Sequence, residues 1–195
     1  MNLSQYFLLL AALLLSGCQA SYIVKPDSFP QAIEKSRTLR LKMGDTSYQL
    51  ADIYSEHRGL VMIFWQTSCP CVKRYQARVN DLFERYSREG LAFVHVSSNQ
   101  NESFTEVQAE YNRRKILLPL MRDESGAIAK ALGVKGTPTA ALISQSGKLE
   151  FLGWIDNERD VNESGRQAYL EDAIKQMLAN IPVSIQTSPM FGCSI

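Results

Sequence analysis

Leu60-Val61-Met62-Ile63-Phe64-Trp65-Gln66-Thr67-Ser68-Cys69-Pro70-Cys71-Val72 is the stretch whose reading decides the fold. Its first six residues form an unbroken apolar run, the pattern of a strand buried on both faces of a largely parallel sheet. After the second cysteine, Val72, Tyr75, Val79, Leu82, Phe83 and Tyr86 recur at helical spacing, with Lys73, Arg74, Arg78, Asp81 and Arg85 between them. The pattern predicts an amphipathic helix ending near Gly90. Cys69 therefore falls at the junction of a buried strand and a helix. Pro70 suits the first helical position, where its missing N–H is not needed. A thiol is nucleophilic as thiolate, and a helix N-terminus, with free N–H groups and the positive end of the macrodipole, stabilises that anion. Cys69 is thus expected to be redox-active. Its partner is left open by the Cys69-Pro70-Cys71 spacing. Residues two apart in a helix point to nearly opposite faces, and a disulfide needs Cα atoms about 4.4–6.8 Å apart with converging Cβ vectors. A Cys69–Cys71 bond requires Cys69 to stand outside the helix. Cys193, in Phe191-Gly192-Cys193-Ser194-Ile195, is the second candidate, if that segment folds back.

Working outward, Thr38 to Met43 and Ser47 to Leu50 flank Gly44-Asp45 as a short hairpin. Leu91 to Ser97 reads as a second buried strand and Ser103 to Arg114 as a helix, with Ser103 and Glu106 as a capping box. Asp123-Glu124-Ser125-Gly126 leads into a small helix, Ala127 to Leu132. Thr139 to Ile143 and Leu149 to Gly153 form an antiparallel hairpin about Gln145-Ser146-Gly147, and Arg166 to Asn180 a closing helix. The order strand, helix, strand, helix, then strand, strand, helix predicts an α/β sandwich with mixed strand directions.

A chain of 195 residues with 45% hydrophobic content supports one domain with a substantial core rather than two. A net charge of +1, with both signs dispersed, gives no basic stripe to collect phosphates, which argues against a nucleic-acid partner. Phe7 to Leu15 is apolar but too short to span a bilayer, so 1–17 reads as a signal peptide. Leu15-Ser16-Gly17-Cys18 looks like a lipobox, which makes Cys18 a lipidation site and places the protein in the cell envelope, attached to a membrane. Gln19, rather than Asp, leans towards the periplasmic side of an outer membrane. Residues 18–37, with two prolines and no sustained period, read as a tether, 38–182 as the domain and 183–195 as a tail carrying Cys193. Export permits disulfides. With Cys18 lipidated, three cysteines remain, an odd number that suits a catalytic cycle better than a static staple.

From about Thr38 to Cys193 the chain resembles the redoxin branch of the thioredoxin superfamily, grouped with alkyl hydroperoxide reductase and thiol-specific antioxidant proteins. The resemblance rests on Phe64-Trp65 with Ser68-Cys69-Pro70, Leu118-Pro119-Leu120 with Asp123, Gly133-Val134 with Thr137-Pro138, Gly153-Trp154-Ile155-Asp156 and Gly192-Cys193. It implies a thioredoxin-like sandwich, with a central mixed sheet flanked by helices and a short N-terminal hairpin extension. It also implies a cis peptide before Pro138 in a loop facing Cys69. Cys69 is then the attacking thiol, Cys71 or Cys193 resolves, and Thr137, Pro138 and Trp65 contact substrate. The expected reaction is thiol-disulfide exchange with exported protein thiols, disulfides or small thiols, without a cofactor. A thiol peroxidase of the antioxidant family is the alternative activity the resemblance implies, but peroxiredoxins carry a proline seven residues and a Thr or Ser three residues before their reactive cysteine, and here Met62 and Gln66 stand there.

Two further classes fit some of these residues. Soft thiolates select Cu(I), and Cys69, Cys71 and Cys193 are three of them. Copper chaperones of this fold use two cysteines separated by three residues and a distant histidine, whereas His95 here alternates into a buried strand and His57 falls in a polar loop, both structural positions. A binding module that lost the chemistry is disfavoured by the joint presence of Cys69, Pro138 and an adjacent tryptophan. Trp65 and Trp154 also read as core residues.

Overall fold

The structure, a computed structural model, describes residues 22–157 and 165–195. The signal segment and Cys18 lie outside the described residues. Among the described residues, strands β1 (Arg40–Met43), β2 (Thr46–Gln49), β3 (Gly59–Phe64), β4 (Ala92–Ser97), β5 (Leu120–Arg122), β6 (Gly136–Thr137), β7 (Thr139–Ser144), β8 (Leu149–Gly153) and β9 (Cys193–Ser194) alternate with helices α1 (Phe29–Ser36), α2 (Leu50–Ser55), α3 (Pro70–Tyr86), α4 (Phe104–Arg113), α5 (Ala127–Leu132) and α6 (Tyr169–Leu178). Seven strands form one mixed sheet in the order β2-β1-β5-β4-β3-β7-β8, while β6 and β9 pair separately.

The continuous apolar run is explained by its place in the sheet. β3 is flanked by parallel β4, with Leu60 opposite Ala92, and by antiparallel β7, with Leu60 opposite Ile143. Leu60, Met62 and Phe64 face one core, shared with α1, α2 and α5. Val61 and Ile63 face the other, against Tyr75, Val79 and Leu82 of α3 and Leu170 and Ile174 of α6. Both faces are covered, so strand alternation between apolar and polar is absent. This is the α/β thioredoxin-like sandwich expected from the sequence. The first hairpin extends the sheet, β1 pairing with β5 through Lys42 and Arg122.

Residues 18–37 were expected to form a tether. Instead Pro26–Ser28 forms a 3₁₀ turn and α1 follows, burying Phe29, Ala32, Ile33 and Ser36. Those positions fall at i, i+3, i+4 and i+7, so one face of a short helix packs on α5 and β8. Pro26 and Pro30, which read as breakers, sit in first turns, where proline is tolerated. The folded domain therefore reaches back into this segment.

Candidate active site

The chain leaves the sheet after Trp65, whose N–H donates to the Val96 carbonyl at 2.9 Å. Cys69 is the N-cap of α3 with extended backbone (φ −74°, ψ 116°), and Pro70 takes the first helical position. Cys69 thus stands outside the helix, at its positive end. Its thiol donates to the Thr137 carbonyl oxygen at 3.2 Å. The Thr137–Pro138 bond is cis, as the resemblance implied. Cys69 has no exposed surface (0%).

The turn is held from two distant places. The Glu102 carboxylate accepts from the Thr67 N–H at 3.1 and 3.2 Å, from the Ser68 N–H at 3.4 Å, and from the Thr67 hydroxyl. Arg114 donates to the Thr67 carbonyl at 2.6 Å, lies over the Trp65 ring at 5.4 Å and is anchored by Glu110 at 2.5 Å. Gln66 donates to the Ser68 hydroxyl at 3.1 Å and accepts from the Thr137 hydroxyl at 3.4 Å. Sequence reasoning missed Glu102 and Arg114, since polar residues 35 and 47 positions from their partner carry no periodic signal.

Trp65, read from the sequence both as a substrate contact and as a core residue, is buried at 1% exposure. It stacks on His95 at 6.2 Å and meets the edge of Tyr111 at 5.6 Å, so it supports the turn from below. As the first residue beyond β3, it points into the cluster between sheet and α4 rather than outward. The Tyr111 hydroxyl donates to the Leu118 carbonyl, so its oxygen accepts from His95 Nδ1 at 3.1 Å, which assigns that proton to Nδ1. Burial pushes His95 down to about 3, and the ring is neutral. It is a structural residue, as read from the sequence.

The two candidate partners of Cys69 part company here. Cys71 lies in the first turn of α3, buried in the cluster around Trp65. Among the described residues the free thiols are those of Cys69 and Cys193. Cys71 is engaged elsewhere, and no Cys69–Cys71 bond is formed. Cys193, by contrast, is brought to Cys69 by the folding back of 183–195. β9 pairs antiparallel with β6, setting Cys193 opposite Thr137 and Ser194 opposite Gly136. The Cys193 thiol is pushed up to about 12, first by burial and then by its hydrogen bond to Cys69. Cys193 therefore keeps its proton at neutral pH. Thr137 and Pro138, the expected substrate contacts, are buried beneath this strand. Lys73 and Arg74 lie on the exposed face of α3.

The three-thiolate cluster considered for Cu(I) is not assembled. Among the described residues no group of three or more His, Cys, Asp and Glu side chains is placed to hold a metal ion.

Comparison with known proteins agrees with this geometry. A thiol-disulfide oxidoreductase ResA of Halalkalibacterium halodurans is 28% identical over 94 residues, 48% of this chain and 52% of that protein. The match thus spans about half the length of the curated relatives. The crystal structure of a hypothetical protein from Sinorhizobium meliloti superposes with TM-score 0.70 at 26% identity, covering 83% of this chain and 92% of that one. A secreted disulfide oxidoreductase of Mycobacterium tuberculosis, at 14% identity, TM-score 0.53 and coverage of 76% and 98%, shares the fold. The profile of the AhpC/TSA family matches residues 32–152, from α1 through most of β8 and including the Cys69 turn and the cis-proline loop, and the chain belongs to that family.

Proposed function

We propose that the protein is an exported thiol-disulfide oxidoreductase in which Cys69 attacks and Cys193 resolves. The observation that carries this reading is the pair of free thiols, Cys69 at the helix N-terminus and Cys193 hydrogen-bonded to it beside Thr137-Pro138. The Cys69 thiolate attacks one sulfur of a substrate disulfide, forming a mixed disulfide and expelling the other sulfur as thiolate, which takes up a proton. Cys193 then loses its proton and attacks the Cys69 sulfur. This forms a Cys69–Cys193 disulfide and releases the second substrate thiol. Two electrons pass from the protein dithiol to the substrate. An external dithiol returns them by the same steps in reverse, and the direction follows the relative potentials.

The relatives named as thiol-disulfide oxidoreductases support this chemistry for the matched half of the chain. Substrates of this class would be disulfides of exported proteins or of small thiols. Membrane attachment through a lipidated Cys18 belongs to the same reading. Replacing Cys18 with Ala should release the protein from membranes, and unchanged partitioning would remove the anchor. The main test is mass spectrometry of oxidised protein digested without reduction. A cross-linked Cys69–Cys193 peptide is expected, together with loss of exchange in Cys69→Ser. Retained exchange in that variant would defeat the reading.

A further inference from the structure

Cys69 has no exposed surface, and Cys193 of the protein's own β9 strand packs on the cluster that holds it and is hydrogen-bonded to it. The strap is fastened along its length. The Gln186 carbonyl accepts from the Leu152 N–H at 2.9 Å, the Ser188 hydroxyl from the Trp154 N–H at 2.7 Å, and Met190 exchanges backbone bonds with Tyr22 at 2.9 and 3.1 Å. Phe191 packs on Trp154 with ring centroids 4.9 Å apart. The Ile195 N–H donates to the Lys135 carbonyl at 3.2 Å, while its side chain sits at a hollow lined by Ala129, Gly133 and Val134.

Each position of this strand makes a demand on the residue that fills it. Gly192 lies so close to the cis-proline loop that a Cβ there would collide with the Thr137 carbonyl oxygen, and its φ of +146° is one that other residues rarely adopt. Cys193 is opposite Thr137, whose carbonyl also receives the Cys69 thiol, so its sulfur is delivered to the nucleophile. Ser194 is exposed and makes no demand. Ile195 packs against the core. The β6 edge is thus matched to an extended segment with glycine, cysteine, any residue and an aliphatic residue in succession.

We propose that residues 190–195 are a built-in occupant of the substrate groove, and that the protein acts on extended polypeptide segments of the pattern glycine-cysteine-any-aliphatic, which displace this strand and pair with Gly136–Thr137 in its register. The proposal rests on Cys69 being the nucleophile. It links strand exchange to disulfide exchange. The incoming segment takes the strap's place as its sulfur bonds to Cys69, and the returning strap expels the segment as Cys193 attacks the Cys69 sulfur and the substrate thiol leaves.

The test uses reduced full-length protein in a Cys193→Ser background. Two acetylated pentapeptides, Phe-Gly-Cys-Ser-Ile and Phe-Ala-Cys-Ser-Ile, are each supplied as the mixed disulfide with thionitrobenzoate. Cys69 attacks the peptide sulfur, forming a Cys69–peptide disulfide and releasing coloured thionitrobenzoate. The strap is loosened by Gly192→Ala and, independently, by Ile195→Ser, so that misfolding of one variant leaves the other. Loosening is expected to raise the release rate about tenfold, and the glycine peptide to react about tenfold faster than the alanine peptide, the scale set by about one lost backbone hydrogen bond or contact. Equal rates for the two peptides, or no acceleration on loosening, would overturn the proposal. Release that survives Cys69→Ser would instead overturn the assignment of the nucleophile.

Discussion

Glu102 fixes Thr67 from the far side of the turn, its carboxylate receiving the Thr67 backbone N–H at 3.1 Å and the Thr67 hydroxyl as well. Thr67 is two residues from Cys69, so this carboxylate sets where the nucleophile sits against Thr137. Replacing Glu102 with Ala leaves the Thr67 and Ser68 N–H groups without their acceptor. Loss of charge-assisted bonds of this kind costs about 1–3 kcal/mol. A nucleophile displaced by about 1 Å loses about a hundredfold in rate. Glu102→Ala should therefore slow thiol exchange by about ten- to a hundredfold while the fold survives, as read by exchange kinetics alongside urea unfolding. An unchanged rate would mean that the turn is positioned without Glu102.

What could be read from the sequence, and what could not, divides along physical lines. β3 and α3 were legible because period and burial are local properties of 60–65 and 72–86, and the Ser103–Glu106 capping box was legible for the same reason. Thr137-Pro138 was legible through resemblance, not through spacing. The choice between Cys71 and Cys193 was not, because Cys193 lies 124 residues from Cys69 and is brought near it only through strand pairing with Gly136–Thr137. α1 was missed because prolines were read as breakers, although Pro30 occupies a helical first turn. Trp65 was left with two readings, substrate contact and core residue, for a related reason. A tryptophan beside a reactive cysteine can face substrate or core, and only the position of Tyr111 and His95 decides.

His95 gives the protein a defined sensitivity to acid. Its ring is buried, and burial pushes its pKa from an ordinary 6.5 down to about 3. Unfolded chains bind the proton below pH 6.5 and folded ones do not until near pH 3. The stability it contributes is therefore complete above pH 6.5 and lost as pH falls through that window, by about 1.4 kcal/mol per pH unit. His95→Gln removes the titrating group and should flatten the dependence of urea unfolding between pH 6 and about 4. An equally steep profile would show that other groups govern acid unfolding.

Asp156, with no exposed surface, is tied to Arg78 at 2.7 and 2.8 Å and to Arg166 at 3.2 Å, and it also bonds to the Tyr75 hydroxyl. It lies two residues beyond Trp154, on which Phe191 of the strap is seated. Arg78→Ala leaves a buried carboxylate with much of its compensation gone, a change worth about 3 kcal/mol. Unfolding should shift accordingly, and Cys69 should become more reactive because Trp154 and the strap loosen together. Denaturant titration and the rate of thiol alkylation measure the two effects. Stability lost without any rise in alkylation would uncouple the ion pair from the strap.

Cys193 should make the second chemical step depend on pH in a way the first does not. In the reduced protein its thiol is pushed from an ordinary 9.0 up to about 12 by burial and by the hydrogen bond to Cys69. The docked strap is thus stabilised fully below about pH 9, and that contribution is lost as pH rises towards 12. When Cys69 enters a mixed disulfide and the strap is displaced, Cys193 loses both its burial and its hydrogen bond to Cys69. The thiolate then forms at lower pH than in the reduced pair, so the resolving thiol is released only after the attacking thiol has been used. Resolution of a preformed Cys69 mixed disulfide should accelerate by about tenfold per pH unit, because the rate follows the thiolate fraction. It should level off at an apparent pKa below the value of about 12 in the reduced protein. Stopped-flow release of the second substrate thiol provides the profile. A rate that stays flat with pH, or that persists unchanged in Cys193→Ser, would show that another thiol resolves Cys69.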